Sequence, residues 1–478
     1  MKLWDFFRQK PAPKRRQFEA AATGRLFSDW LTTTKSADHE LRYTLKTLRA
    51  RSRELAINND YARRFLDMTT TNVVGAKGIQ LQVRARDLGG PLDQTANSIL
   101  EDSFKAWGEL GVCTVDGQMT WLDAQRMFIE SVARDGECFV LKVTDGSNPW
   151  RFRLQFIDPD RIDVEYNGSA SNGAEIRMGV EIDKGGKPLA YYVDQKHPDD
   201  YQFAAGYGVQ RQRIPAEQII HAYRKLRPGQ TRGYPWMATA MTRLKMLGGY
   251  EEAELVAARI SSAKMGFFTT PAGDDYVGDG TDDQGRIQMD VSPGTFEQLP
   301  QGVDFKPFDP QHPSTAFAAF EAAMLRGIAS GLGVSYTSLS NNLEAVSYSS
   351  IRQGLLEERD HWRAIQWWMV EHFCQPVYQA WLRQTLDSAT VNLPATKYFK
   401  FGLTQWVPRG WQWVDPRNEI EATVTAIQNG LMTNTQALAE RGLDIEDVIR
   451  ERQAEQELLA SYGLAAPQPA TAPQQAAP

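Results

Sequence analysis

Cysteine and histidine are scarce in this chain. Three cysteines, Cys113, Cys138 and Cys374, stand far apart along 478 residues. An odd, dispersed set supports neither a disulfide framework nor a cysteine zinc site, and fits manufacture in a reducing cytoplasm. The six histidines, His39, His197, His221, His312, His361 and His372, lack the close spacing of metal ligands. No G-x-x-x-x-G-K-[ST] loop is present, so nothing points to ATP hydrolysis by this chain, and Gly75 and Gly78 read as a turn entering a strand. No apolar run approaches the eighteen or so residues of a membrane helix, and the basic start "MKLWDFFRQKPAPKRR" lacks the apolar centre of an export signal. The expectation is a chain made in the cytoplasm, with no cofactor, metal or membrane partner.

Bulk positive charge is missing as well. Fifty-three Lys and Arg against 59 Asp and Glu leave a net charge of −6, which argues against gripping nucleic acid by charge alone. The distribution is uneven: residues 1–53 hold thirteen basic and five acidic side chains, and residues 415–460 hold four and ten. The two ends are expected to meet different partners. The length exceeds what one ordinary core fills, so several domains or one domain with large extensions are expected.

What is present reads as an α+β body followed by long helices. From 54 to 225, helical segments alternate with the strand-like runs "ECFVLKV", "FRLQFI", "MGVEID" and "LAYYVD" between Asp, Gly, Asn and Pro turns. Residues 235–263 predict a long helix opened by Pro235, and a second helix follows Pro313, with Ser314 as its N-cap and Phe317, Phe320, Met324 and Ile328 on one stripe. Glycines at 331 and 333 stop it. Next comes "YTSLSNNLEAVSYSS", 336–350, in which eight of fifteen residues are Ser, Thr or Asn and Glu344 is the only charge. A longer helix then places Ile351, Leu355, Trp362, Ile365, Met369 and Phe373 on one face, with a kink expected at Pro376. Two or three short helices end the ordered chain, and the Pro-, Ala- and Gln-rich tail 461–478 is expected to be disordered.

Several motifs have ordinary explanations. Ser261 three before Lys264, with Ser340 two before Asn342, imitates the order of penicillin-recognising serine enzymes, but no K-T-G follows and Ser261 falls near a helix end. Asp135 and Glu137 in "RDGE" read as a turn before a strand. Of the thirteen tryptophans, Trp362, Trp367, Trp368 and Trp381 lie on amphipathic helices and are expected to pack in the core rather than stack on bases.

Six strings occur in a family's order and spacing: "NNDYARRFLDMTTTNVVGAKGIQLQ" (58–82), "RDGECFV" (134–140), "LQFIDPDRI" (154–162), "RIPAEQIIHAYRKLRPGQTRG" (213–233), "YTSLSNNLEAVSYSSIR" (336–352) and "WVDPRNEIEA" (413–422). In them the chain resembles the portal proteins of lambda-like tailed bacteriophages from about residue 40 to 460. It departs from the family pattern where an acid becomes Asn342 and an amide becomes Ser347. The resemblance implies a portal fold assembled as a ring, usually dodecameric, at one capsid vertex of the virion. Double-stranded DNA passes through that ring in packaging and ejection.

The implied parts are an N-terminal basic arm (1–40), an α+β wing (41–234), stem helices (235–263 and 313–333) around a clip (264–312), a channel loop (334–350), a long wing helix and return (351–414), a helical crown (415–460) and a tail (461–478). The implied partners are other copies of the chain, DNA without sequence preference, the terminase large subunit, the major capsid protein or scaffold, and head-tail connector proteins, assembled in the host cytoplasm. Thr337, Ser338, Ser340, Asn341, Asn342, Glu344 and Ser347 are the candidate bore-lining residues, because a polar, weakly charged lining touches phosphates without holding them. Two other classes stay open: a sequence-independent DNA-binding protein, and a serine hydrolase using Ser261 and Lys264.

Overall fold

Short polar side chains set the helix boundaries of the body. Ser36 accepts from the His39 amide and opens α1, Ala37–Asn58. Asn59 ends α1 and caps α2, Asp60–Val73, by accepting from the Ala62 amide. The structure, a computed structural model, describes residues 25, 29, 31–87, 90–203, 210–262, 266–269, 280–281, 287–288, 304–307, 317–343, 348–411, 416–441, 443 and 445–462. Strand β1, Gln80–Val83, leads to α3, Gln94–Trp107. Helix α4, Trp121–Asp135, starts at a reciprocal Thr120–Asp123 capping box and stops at Gly136, in the left-handed region at φ 90°.

The strand-like runs form the expected strands. β2, Glu137–Val143, pairs with β3, Arg153–Ile157. A five-stranded antiparallel meander follows: β4 Gly168–Ser169, β5 Glu175–Arg177, β6 Val180–Ile182, β7 Pro188–Asp194 and β8 Arg211–Pro215. β9, Ile219–Tyr223, then returns to the free side of β2.

Helix α5, Met241–Ser262, packs Met241, Leu244 and Leu247 into the body, whereas Leu255 and Val256 on its outer half are exposed. Four short strands follow: β10 Gly266–Thr269 pairs with β13 Asp304–Pro307, and β11 Gly280–Thr281 with β12 Ile287–Gln288. The rest of 264–312 lies outside the described residues, as do Ser314, the arm before Arg25, and the tail after Tyr462. α6, Phe317–Leu332, returns beside α5, with Tyr250 stacked on Phe317 at 5.7 Å.

α7, Tyr336–Ser340, and α8, Tyr348–Met369, come next. The later part of the expected stripe is buried, at Trp362, Ile365 and Met369 of α8 and at Phe373 beyond it, whereas Leu355 is half-buried and the side chain of Ile351 lies outside the described residues. At Pro376 the helix widens rather than breaks. A π-turn at Val370–Cys374 precedes α9, Gln375–Asp387, and relieves the clash of the proline ring with the preceding turn. α10, Tyr398–Phe401, precedes β14, Thr404–Val407, which pairs with β1. α11 Pro416–Gln428, α12 Asn434–Ala439 and α13 Ile445–Ser461 end the described chain, tied to the body by Arg84 and Glu446 at 2.9 Å.

The core lies among α2, α3, α4, α8 and α9, where Phe128 stacks on Phe373 at 4.1 Å and Phe104 meets Trp381 edge-on at 5.0 Å. Each such ring contributes about 1.5–3 kcal/mol by burial. Beside this core sits a buried ionic web that explains three of the six strings. Glu137 accepts from Arg232 at 2.7 and 2.9 Å, from Arg49 at 2.7 Å, from His221 at 3.0 Å and from the Gly233 amide at 3.0 Å. Arg49 also binds Asp160, and Arg53 joins Asp135, Asp158 and Asp160. "RDGE", "DPDR" and "QTRG" therefore meet in one place, as structure rather than as a carboxylate pair for catalysis.

Candidate nucleic-acid interface

The candidate channel segment is built from its caps outward. α6 ends at Leu332, and Gly333, at φ +71°, turns the chain beneath His361. Ser335 then accepts from the Ser338 amide at 3.2 Å and starts α7, and Asn341, left-handed at φ 54°, ends it. The segment expected to be loop throughout 334–350 is thus helical at 336–340 and again from Tyr348. Capping by Ser335 and Asn341, with Leu339 buried beneath, outweighs the loop preference of the serines.

This helix is fastened to the body from two sides. Glu358 of α8, itself buried, accepts from the Ser335 amide at 3.3 Å, the Ser338 hydroxyl at 2.9 Å and the Trp362 indole at 3.1 Å. Arg64 of α2 donates to the Ser338 carbonyl at 3.2 Å and to Asn341 Oδ1 at 3.3 Å. Ser340 donates to the Tyr336 carbonyl at 2.8 Å and accepts from the Asn342 amide at 3.2 Å. Thr337 lies 3.3 Å from the Ser335 hydroxyl.

The seven candidates therefore divide. Thr337, Ser338 and Ser340 hold the root together, Asn341 is exposed and Asn342 half-buried where the chain leaves it, and Glu344 and Ser347 lie outside the described residues. Of the stretch beyond this root, 341–347, only Asn341, Asn342 and Leu343 fall among the described residues. Sequence reasoning missed Arg64 and Glu358. The signal for Glu358 was an acid set one helical turn before Trp362 on the apolar stripe of α8.

The other candidates do not converge on a chemical site. Ser261 lies in the last turn of α5, and Lys264 lies outside the described residues. Asp158, Asp160 and His197 have the spacing of a metal cluster, but the Arg53 guanidinium bridges Asp158 at 2.9 Å and Asp160 at 2.7 Å, where a cation would sit. The three cysteines are buried, and burial pushes the Cys113 thiol up to about 12. Among the described residues, no helix is long and apolar enough to cross a membrane.

Residues 23–366 match the family described as phage portal protein, lambda family. A probable portal protein of Halomonas phage phiHAP-1 is 35% identical over 444 residues, covering 91% of this chain and 85% of the relative. Portal protein B of Escherichia phage lambda is 26% identical, covering 88% and 86%. Among solved structures, the neck of an empty gene transfer agent particle aligns with 88% of this chain and 99% of that chain, at 15% identity and a TM-score of 0.44. With the family match across most of its length and a relative of this identity over nearly all of it, the chain belongs to the lambda family of phage portal proteins.

Proposed function

We propose that copies of this portal protein close into a ring at the capsid's portal vertex and that double-stranded DNA moves through its bore during packaging and ejection. The family is structural rather than catalytic. The observation that carries the reading is the outer stem: beyond Leu247, α5 and α6 carry Leu255 at 62%, Val256 at 45% and Phe320 at 47% exposure. Uncovered aliphatic and aromatic side chains on paired helices suit a heterologous contact, one face to each neighbour, repeated until the ring closes. Twelve subunits is the expected number.

In that ring the 341–347 tip faces the DNA. Its amides and hydroxyls exchange bonds with phosphates and water, while the fastened root keeps the tip at a fixed radius. With no phosphate-cradling motif, the motive ATPase is a separate chain, the terminase large subunit, docking at 264–312. Head-tail connector proteins take the same end after packaging, and the basic arm 1–40 meets the major capsid protein or scaffold. The acidic helices α11–α13 face packaged DNA without adhering to it. The finished ring resides in the virion and is assembled in the host cytoplasm.

Negative-stain imaging of the purified protein tests the ring. Particles with a central opening are expected, and compact particles lacking one under assembly conditions would end the reading. The double variant N341A/N342A tests the bore: it should assemble but package or retain less DNA, and wild-type retention would remove these residues from the lining.

A further inference from the structure

One tryptophan departs from the core role expected of the helical set. Trp367 is 52% exposed on α8, whereas Trp362 and Trp381 are buried. It stands one turn beyond Arg363, whose guanidinium lies 5.7 Å from the ring of Trp411. Arg409 lies 5.8 Å from the same ring and donates to the Thr71 carbonyl at 2.6 Å and to Asn72 Oδ1 at 3.2 Å. The stem of Arg409 covers Gly75, where a Cβ would come within 2.9 Å of its Cδ. Arg126 reaches the same turn from α4, donating to the Gly75 carbonyl at 3.1 Å, and Lys77 is exposed two residues on.

Folding does not explain this gathering of cations. The C-terminus of α2 offers a partial charge of about −0.5, and one guanidinium answers it. Among the described residues, Asp360 is the only carboxylate paired with any of these four cations, at 3.0 Å from Arg363 and 75% exposed. Glu130, one turn beyond Arg126, is engaged by Arg63 at 3.4 Å and Arg134 at 3.8 Å. Burial, with the charge of Arg359 one turn before Arg363, lowers the pKa of Arg409. The surface therefore keeps an excess of positive charge interleaved with two indoles.

We propose that this face binds the phosphate backbone of duplex DNA outside the bore. Guanidinium forks match phosphate oxygens, and the exposed indole of Trp367 packs on deoxyribose between them. The net charge of −6 excludes a general grip and leaves a local one. The choice of partner rests on the portal reading, since DNA is the polyanion such a ring meets.

A covalently closed circular duplex cannot thread a closed ring, so its binding reads the outer surface alone. Wild-type rings titrated with such circles should show log K falling linearly with log salt. The variant K77A/R363A/W367A, with an unchanged melting temperature, should bind about tenfold more weakly at low salt, with a slope shallower by about two. N341A/N342A should bind circles as wild type does, which separates this face from the channel. If rings never form, circle binding by the free subunit still supports the face while the portal reading fails. Failure of wild type to bind circles, or an unchanged slope in the variant, overturns the proposal. So does loss of ring assembly in the variant, which would put a neighbouring subunit on this face.

Discussion

Glu137 shows how one side chain can join distant stretches of sequence. Burial alone would raise its pKa, but the charge of Arg232, the hydrogen bond from His221 and the charge of Arg49 overcome burial and hold the carboxyl well below the usual range. Burial lowers His221 more than Glu137 raises it, so its imidazole stays neutral. Both folded values lie below the unfolded ones, 4.5 for the glutamate and 6.5 for the histidine. Their contribution is therefore complete above 6.5, and it is lost first through His221 and then through Glu137 as the pH falls. Urea midpoints measured from pH 8 to 4 should fall accordingly, and H221Q should flatten the upper part of that fall. Replacing Glu137 by Gln should destabilise the body by about 3–5 kcal/mol, because two buried guanidiniums lose their counter-charge. Gly136→Ala should cost at least about 3 kcal/mol, since the position is left-handed and a Cβ would collide with the Tyr234 backbone.

At the scale of the element, the Glu358 contacts make α7 an extension of the body. Glu358→Ala removes the acceptor for three donors and should destabilise the segment by about 1–3 kcal/mol, seen as faster amide exchange at 336–340 with α8 unchanged. Exchange at wild-type rates would mean the caps alone hold α7. The long helices and the strands of the body were legible in the sequence because period and turn residues are local signals. The stripe from Trp362 to Phe373 and the run "ECFVLKV" each carry their own pattern. α7 was not legible: it is five residues long, and its acceptor lies 20 residues from Ser338. Arg64 is 277 residues from Asn341, a contact no local pattern reports. The π-turn was half legible, since Pro376 announces an irregularity but not its kind. Trp367 misled because its spacing on α8 resembles that of buried neighbours.

For the whole molecule, the junction of stem and body turns on a proton. The Tyr61 hydroxyl lies 3.2 Å from both Glu251 and Glu321, yet it has one hydrogen to give. The second contact is satisfied when a carboxyl carries the proton. Burial, with the charges of Glu321 and Asp60, raises Glu251 against the lowering effect of the Tyr61 hydrogen bond. A raised folded pKa contributes stability below 4.5 and loses it as the pH rises through the folded value. Rings should thus melt at lower temperature as the pH climbs above about 4.5 if this junction governs ring stability. E251Q, which keeps a donor there at all pH values, should abolish that dependence. A dependence as steep in E251Q as in wild type would assign it elsewhere. Helix α2 unites these places, with Tyr61 near its first turn at the stem, Arg64 at the channel root, and Thr71 and Asn72 in its last turn under Arg409. A straight run of 14 residues is about 20 Å long and does not bend appreciably under side-chain forces. It is therefore a lever: in the ring proposed above, a push on α7 tilts or slides it, and strain from DNA in the bore reaches the outer surface as movement rather than being absorbed on the way.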